Sequence, residues 1–161
     1  QIIDTGKDTL TGGRLLRLKK MFKKNENFFM TYGDGLCDLN LDKLKNFHFD
    51  HKKIATVTAV HPPVRFGELE IEEKKVIKFE EKPQAKSGWI NGGFFVLNYK
   101  IFDYIENDKT IFERDPMIRL VEEKNLMAFK HEGFWKCMDT LRDKILLDQM
   151  YTEKKILWGK K

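Results

Sequence analysis

The chain has 161 residues, with 30 Lys plus Arg against 25 Asp plus Glu, a net charge of +5, and 41% hydrophobic residues that include 13 Phe. Such a length bounds it to one domain or a large piece of one, and the aromatic supply suffices for a packed core, which excludes intrinsic disorder. The charge is mixed in sign without a basic stripe, no stretch nears the ~18 apolar residues of a membrane span, and two cysteines make no disulfide framework.

In chain order, residues 1–5 read as the end of a strand, and with no initiator Met before Gln1 the sequence is expected to be a fragment. A polar loop leads to Thr11, the expected N-cap of a helix with Leu15, Leu18 and Phe22 on one face. Residues 27–32 predict a buried strand through Phe28, Phe29 and Met30, ending at Gly33-Asp34-Gly35. Leu41, Leu44 and Phe47 predict a second helix, and residues 54–60 a strand closed by Pro62-Pro63. Alternation over 69–72 and 76–80 predicts half-exposed hairpin strands, and 92–97 a strongly apolar one. Helices are expected at 101–105 and 116–124, the latter with Asp115 as cap and Pro116 at its first position. A late strand at 126–131 precedes a closing helix at 140–151 with Leu141, Ile145 and Leu146 inward. The pattern is that of an α/β layered fold whose central sheet is mixed, with no internal repeat and no internal domain boundary.

Several short segments have chemistry-bearing spacing. In Thr31-Tyr32-Gly33-Asp34-Gly35 a carboxylate sits between glycines at the carboxyl end of a strand, where open α/β sheets gather ligands. The alternative is a tight turn in which Asp34 bonds its own backbone. Asp139, before the last helix, reads alone as an N-cap; a second carboxylate converging on Asp34 would make a pair able to hold Mg²⁺ while phosphates complete its coordination. Thr11, Gly12, Gly13 and Arg14 feed a helix N-terminus whose amides favour anions and whose glycines admit a base or sugar. Glu81-Lys82-Pro83 offers a compact cation for a phosphate and a carboxylate for sugar hydroxyls, or else a charged hairpin edge. Asn91-Gly92-Gly93 opens the apolar strand, where paired glycines suggest a ligand lying on the backbone or a bulge. His48 and His51 lack a third metal-spaced ligand and read as surface histidines, while Cys37 and Cys137 read as plain thiols in a reducing, cytoplasmic compartment.

Taken together, TGGRL at 11–15, TYGDG at 31–35, FEEKP at 79–83, INGGFFVLN at 90–98 and GFWKCMDTLRD at 133–143 resemble the glucose-1-phosphate cytidylyltransferases, with PPVRFG at 62–67 also fitting. The resemblance covers essentially the whole chain. It implies the nucleotidyltransferase fold, a GT-A-like, Rossmann-like layered architecture, of which residues 1–161 would be the C-terminal portion of a single domain. It further implies transfer of a cytidylyl group from CTP to glucose 1-phosphate, giving CDP-glucose and pyrophosphate. By that resemblance Asp34 and Asp139 bind Mg²⁺, Lys82 the sugar phosphate, Glu81, Asn91, Gly92 and Gly93 the glucose, and Thr11, Gly12, Gly13 and Arg14 lie near nucleotide and sugar. Asp34, Asp139 and Lys82 are the expected catalytic set. The family's glycine-rich GGxGTR loop is absent from the sequence, so these residues alone are expected to be inactive, and the intact protein a homo-oligomer. The alternatives are a sugar-phosphate-binding remnant, or a related transferase using another nucleoside triphosphate.

Overall fold

The computed structural model describes residues 1–62, 68–80, 88–156 and 158, without the side chains of 68 and 80. Its elements are α1 (Thr11–Arg17), β1 (Asn27–Thr31), β2 (Gly35–Cys37), α2 (Leu41–His51), β3 (Ala55–Val60), β4 (Glu68–Glu72), β5 (Lys75–Glu80), β6 (Ile90–Asn98), α3 (Asp115–Glu122), β7 (Leu126–His131), β8 (Trp135–Cys137) and α4 (Leu141–Thr152). Four strands form a sheet in the order β1-β6-β3-β7, while β2-β8 and β4-β5 are two-stranded. This is the expected α/β layering around a mixed sheet. The chain divides into two compact units: Gln1–Thr31, Leu41–Val57 and Phe94–Phe129 make the first, and Tyr32–Asn40, Thr58–Gly93 and Lys130–Lys161 the second.

The first unit has an aromatic core. Phe28 stacks on Phe22 at 4.1 Å between ring centres and on Phe102 at 5.9 Å, and Phe95 meets Phe112 edge-on. Antiparallel pairing of β1 with β6, Asn27 to Asn98 through Thr31 to Phe94, brings Phe28 opposite Leu97. Alternation along this edge strand buries Phe28 and leaves Phe29 48% exposed, so the expected run of buried residues is in fact one-sided. Residues 1–5 form no strand, because the Asp4 carboxylate accepts the Gly6 amide at 2.7 Å and Gly6 turns the chain at φ +83°. Thr11 does not cap α1. Its hydroxyl is engaged elsewhere, donating to Glu113 at 2.7 Å and accepting from the Phe112 amide at 2.9 Å, and Leu10 takes the cap position. Helix α1 ends at Arg17 and passes into a 3-10 turn at Lys19–Met21, so the single helical face through Phe22 is broken. The expected helix at 101–105 is a 3-10 segment, Tyr99–Tyr104, started by the Asn98 side chain accepting from the Lys100 amide. Pro116 sits in the first turn of α3 as expected, but Arg114, not Asp115, is the cap.

His48 is buried at 2% exposure, contrary to the surface reading. The Asn27 Oδ1 atom can only accept, so His48 Nε2 donates to it at 3.2 Å and Nδ1 must accept from the Thr56 hydroxyl at 2.8 Å. Thr56 Oγ1 in turn accepts from His51 Nε2 at 2.7 Å, while His51 Nδ1 accepts the Lys53 amide. Both tautomers are assigned from this network. Burial pushes His48 down to about 4, so the ring is neutral in the fold.

In the second unit, the hairpin β4–β5 pairs Glu68 with Glu80 through Glu72 with Lys75. Its apolar side chains stay open, with Leu69 at 50%, Ile71 at 57% and Phe79 at 62% exposure. Helix α4 begins at a capping box in which Thr140 Oγ1 accepts the Asp143 amide and Asp143 accepts the Thr140 amide. Asp143 also binds Lys136 of β8 at 2.8 Å. On the side of that tie Asp143, Leu147 and Met150 turn inward, whereas Leu141, Ile145 and Leu146 face out at 73%, 50% and 43% exposure. The inward face is therefore the one that carries the ion pair, not the expected one.

Candidate functional site

Asp34 and Asp139 lie more than a hundred positions apart in sequence, yet one ladder makes them neighbours. Strands β2 and β8 run antiparallel with Gly35 opposite Cys137, and the Met138 amide donates to the Asp34 carbonyl at 2.9 Å. Each aspartate flanks its end of this ladder, and both side chains are exposed. The Asp34 carboxylate has no hydrogen-bond or ion-pair partner among the described residues, so the turn at Gly33-Asp34 does not consume it. Asp139 is likewise released from capping, because Thr140 does that work with Asp143. One Asp139 oxygen accepts from Cys137 Sγ at 3.1 Å. Desolvation, then that contact, push the Cys137 thiol up to about 11, so the donor is the protonated thiol.

The start of β6 joins the same neighbourhood. Tyr32, two residues before Asp34, donates its amide to the Gly93 carbonyl at 3.0 Å, and the Trp135 indole of β8 donates to the Gly92 carbonyl at 2.8 Å. Asn91 folds its Oδ1 back onto the Gly93 amide at 2.8 Å, and Gly93 takes φ +77°. These glycines have an internal reason to be small. A Cβ at Gly92 would stand 2.9 Å from Val60 Cγ1 and 3.0 Å from the Thr58 carbonyl, and one at Gly93 would stand 2.8 Å from the Tyr32 ring. What remains outward is the exposed Asn91, whose amide nitrogen has no partner among the described residues.

Thr11, Gly12, Gly13 and Arg14 belong to the first unit. The helix-start amides expected to hold an anion are already used: Leu10 donates to the Asp108 carbonyl, and Gly12 and Gly13 to that of Thr110. A Cβ at Gly13 would collide with Asp108 backbone at 2.4 Å, so the glycine serves loop packing. Arg14 is exposed and leans on Thr5 Oγ1 at 2.8 Å; beside it Arg17 forms an ion pair with Asp108. Glu81 and Lys82 lie outside the described residues, as do Pro63 and residues 64–67.

Sequence reasoning passed over the framework that holds the carboxylates. Lys136 and Asp143 are 15% and 19% exposed and fix β8 to α4 on either side of Asp139. Hydrogen bonds from Lys136 and then Thr140 hold the Asp143 carboxyl down at about 2. The signal was present, since Thr140-x-x-Asp143 is a capping-box spacing in which Asp replaces the usual Glu.

Residues 8–148 match the nucleotidyl transferase family. The chain belongs to that family. A glucose-1-phosphate cytidylyltransferase of Salmonella typhi is 47% identical over 157 residues, which cover 98% of this chain and 61% of the relative. A mannose-1-phosphate guanyltransferase of Saccharomyces cerevisiae is 36% identical over 132 residues, 78% of this chain and 37% of the relative. Among solved structures, an apo UDP-glucose pyrophosphorylase superposes with a TM-score of 0.68 at 16% identity, covering 97% of this chain and 64% of that one, which is a likeness of fold. This nucleotidyl transferase chain thus spans about three fifths of the length of the cytidylyltransferase it matches. No helix among its described residues is long and apolar enough to cross a membrane.

Proposed function

We propose that the protein containing this chain transfers a cytidylyl group from CTP to glucose 1-phosphate, releasing pyrophosphate and CDP-glucose. The observation that supports this reading is the pairing of β2 with β8, which ends beside Asp34 on one strand and just before Asp139 on the other, both with exposed side chains. The 47% identity to a glucose-1-phosphate cytidylyltransferase supports the choice of substrates. A magnesium ion suits this donor set, because it is held by one or two carboxylates and keeps its other positions for water and phosphate oxygens. When bound, it would supply positive charge against the phosphates during displacement. Asp34 and Asp139 would hold it, and Lys136, Asp143 and Thr140 would keep Asp139 in place. Asn91 would offer its amide to a sugar hydroxyl, with Gly92 and Gly93 shaping the strand beneath. Lys82 and Glu81 would neutralise the sugar phosphate and accept from the sugar. Unpaired thiols at Cys37 and Cys137 suit a cytoplasmic setting.

Displacement at phosphorus rests on positioning and charge neutralisation, so each part has a separable signature. In the full-length protein, Asp34→Asn and Asp139→Asn should each lower kcat for pyrophosphate release by roughly 10²–10³-fold. Lys82→Met should raise the KM for glucose 1-phosphate more than that for CTP. Turnover of either aspartate variant at the wild-type rate would sink the assignment. The guanyltransferase relative makes GTP with mannose 1-phosphate the competing pair, and equal or faster turnover of that pair would replace the cytidylyl reading.

A further inference from the structure

Three donors of different chemistry converge at the end of the β2–β8 ladder away from Asp34. Cys37 closes β2, Asp38 follows it, and His131 ends β7; a thiol sulfur, a carboxylate oxygen and an imidazole nitrogen lie within 4.8 Å of one another. His131 Nε2 stands 2.8 Å from Asp38 Oδ1, with side-chain exposures of 12% and 36%. The backbone holds the cluster: Asp38 donates its amide to the Phe134 carbonyl at 3.1 Å, and Cys37 pairs with Trp135. Gly133 keeps the approach clear, since a Cβ there would fall 2.5 Å from Asp38 Oδ1 and 2.8 Å from the His131 ring.

The donor set selects among cations. Magnesium and calcium take oxygen ligands, whereas a thiolate beside an imidazole favours a borderline ion such as zinc, which also accepts a carboxylate oxygen. Zinc bonds of about 2.0–2.3 Å at tetrahedral angles place ligand atoms about 3.3–3.8 Å apart. His131 Nε2 and Asp38 Oδ1 stand closer than that at 2.8 Å, and all three ligand atoms lie within 4.8 Å of one another, a scale that suits one shared ion. Partial exposure at Asp38 leaves a face for water.

We propose that Cys37, Asp38 and His131 bind a zinc-class divalent ion, with water as fourth ligand. Binding releases the Cys37 thiol proton to solvent and crosslinks the end of β2 to the end of β7. The ion stabilises the second unit by an amount that rises with the logarithm of its free concentration above Kd, and its site is separate from Asp34 and Asp139, which offer oxygen alone.

Cobalt(II) titration of the metal-stripped full chain, with thiols kept reduced by a phosphine, tests this. The expected result is a saturable thiolate-to-cobalt charge-transfer absorption with tetrahedral d–d bands, bleached by equimolar zinc and untouched by excess magnesium. Cys37→Ser should abolish the charge-transfer band and Cys137→Ser should keep it. Asp38→Asn should keep the band while weakening binding about tenfold or more. Zinc should raise the Tm of wild type and of Cys137→Ser but not of Cys37→Ser. Absence of the band in the reduced wild-type chain, or its survival in Cys37→Ser, would overturn the proposal and leave a plain His131–Asp38 hydrogen bond. Neither outcome bears on turnover with magnesium, so this site and the cytidylyl reading fail or stand separately.

Discussion

Asp143→Asn isolates the charge that fixes the Asp139 corner. The wild-type carboxylate accepts from Lys136 Nζ at 2.8 Å, from the Thr140 hydroxyl at 2.7 Å and from the Thr140 amide at 3.1 Å. Asn preserves shape and one acceptor, so the loss is mainly electrostatic. A carboxyl held at about 2 rather than 3.8 contributes about 2 kcal/mol at pH 7, after a discount for solvent contact. Because the folded-state value is the lower one, this contribution is full above the unfolded value and fades as pH falls through the folded one. It should therefore drop to about 1 kcal/mol at pH 3. Urea unfolding of wild type and Asp143→Asn at pH 7 and pH 3 measures both numbers. Lys136→Met should cost a similar amount at pH 7, and the double variant less than the sum. A wild-type-to-variant gap under about 0.5 kcal/mol at pH 7, or one that does not shrink at pH 3, would refute the reasoning.

Other expectations follow from single atoms. His48, held neutral at about 4 by burial, gains a proton more readily in the unfolded chain, so stability should decline as pH drops from 6.5 towards 4. Urea midpoints at pH 7.5 and 5 should show that slope, and His48→Gln should flatten it. Thr58 carries a buried hydroxyl without a hydrogen-bond partner among the described residues, so Thr58→Val should be neutral or stabilising by about 1 kcal/mol in thermal unfolding. Gly13→Ala, with Asp108 backbone 2.4 Å from the new carbon, should destabilise by about 1–3 kcal/mol. Gly33→Ala, which meets nothing within 4 Å, should leave the unfolding midpoint nearly unchanged.

Strands were legible where composition and period agreed. The β-branched run of β3 and the apolar run of β6 lie within one or two residues of where the sequence puts them. Helix faces were less legible, because a hydrophobic count cannot see that Lys136 and Asp143 outrank Leu141 and Ile145 in orienting α4. Capping was misassigned at Thr11 for a related reason: Phe112 and Glu113 compete for its hydroxyl from a hundred positions away. The candidate aspartates were readable as residue types in strand-end turns, but the nearness of their backbones comes from strand pairing that no local window contains. Resemblance, not spacing, put Asp34 and Asp139 together. His48 was misread because one period places it beside His51 while nothing local announces Thr56 and Asn27 as its partners.

The β2–β8 ladder also constrains how the molecule comes into being. Among the described residues, three ladder pairs and one flanking backbone bond at each end hold it, yet it closes a loop of about a hundred residues. Closing a chain segment of that length costs about 4 kcal/mol in entropy, whereas three cross-strand pairs return about 1–3 kcal/mol. Such a ladder cannot nucleate folding, and it persists only once other structure has already drawn its two ends together. Its residues should therefore show low φ-values, with substitutions at Leu36 or Trp135 speeding unfolding and scarcely slowing refolding. The backbone on either side of Asp34 and Asp139 is therefore drawn together among the last events of folding.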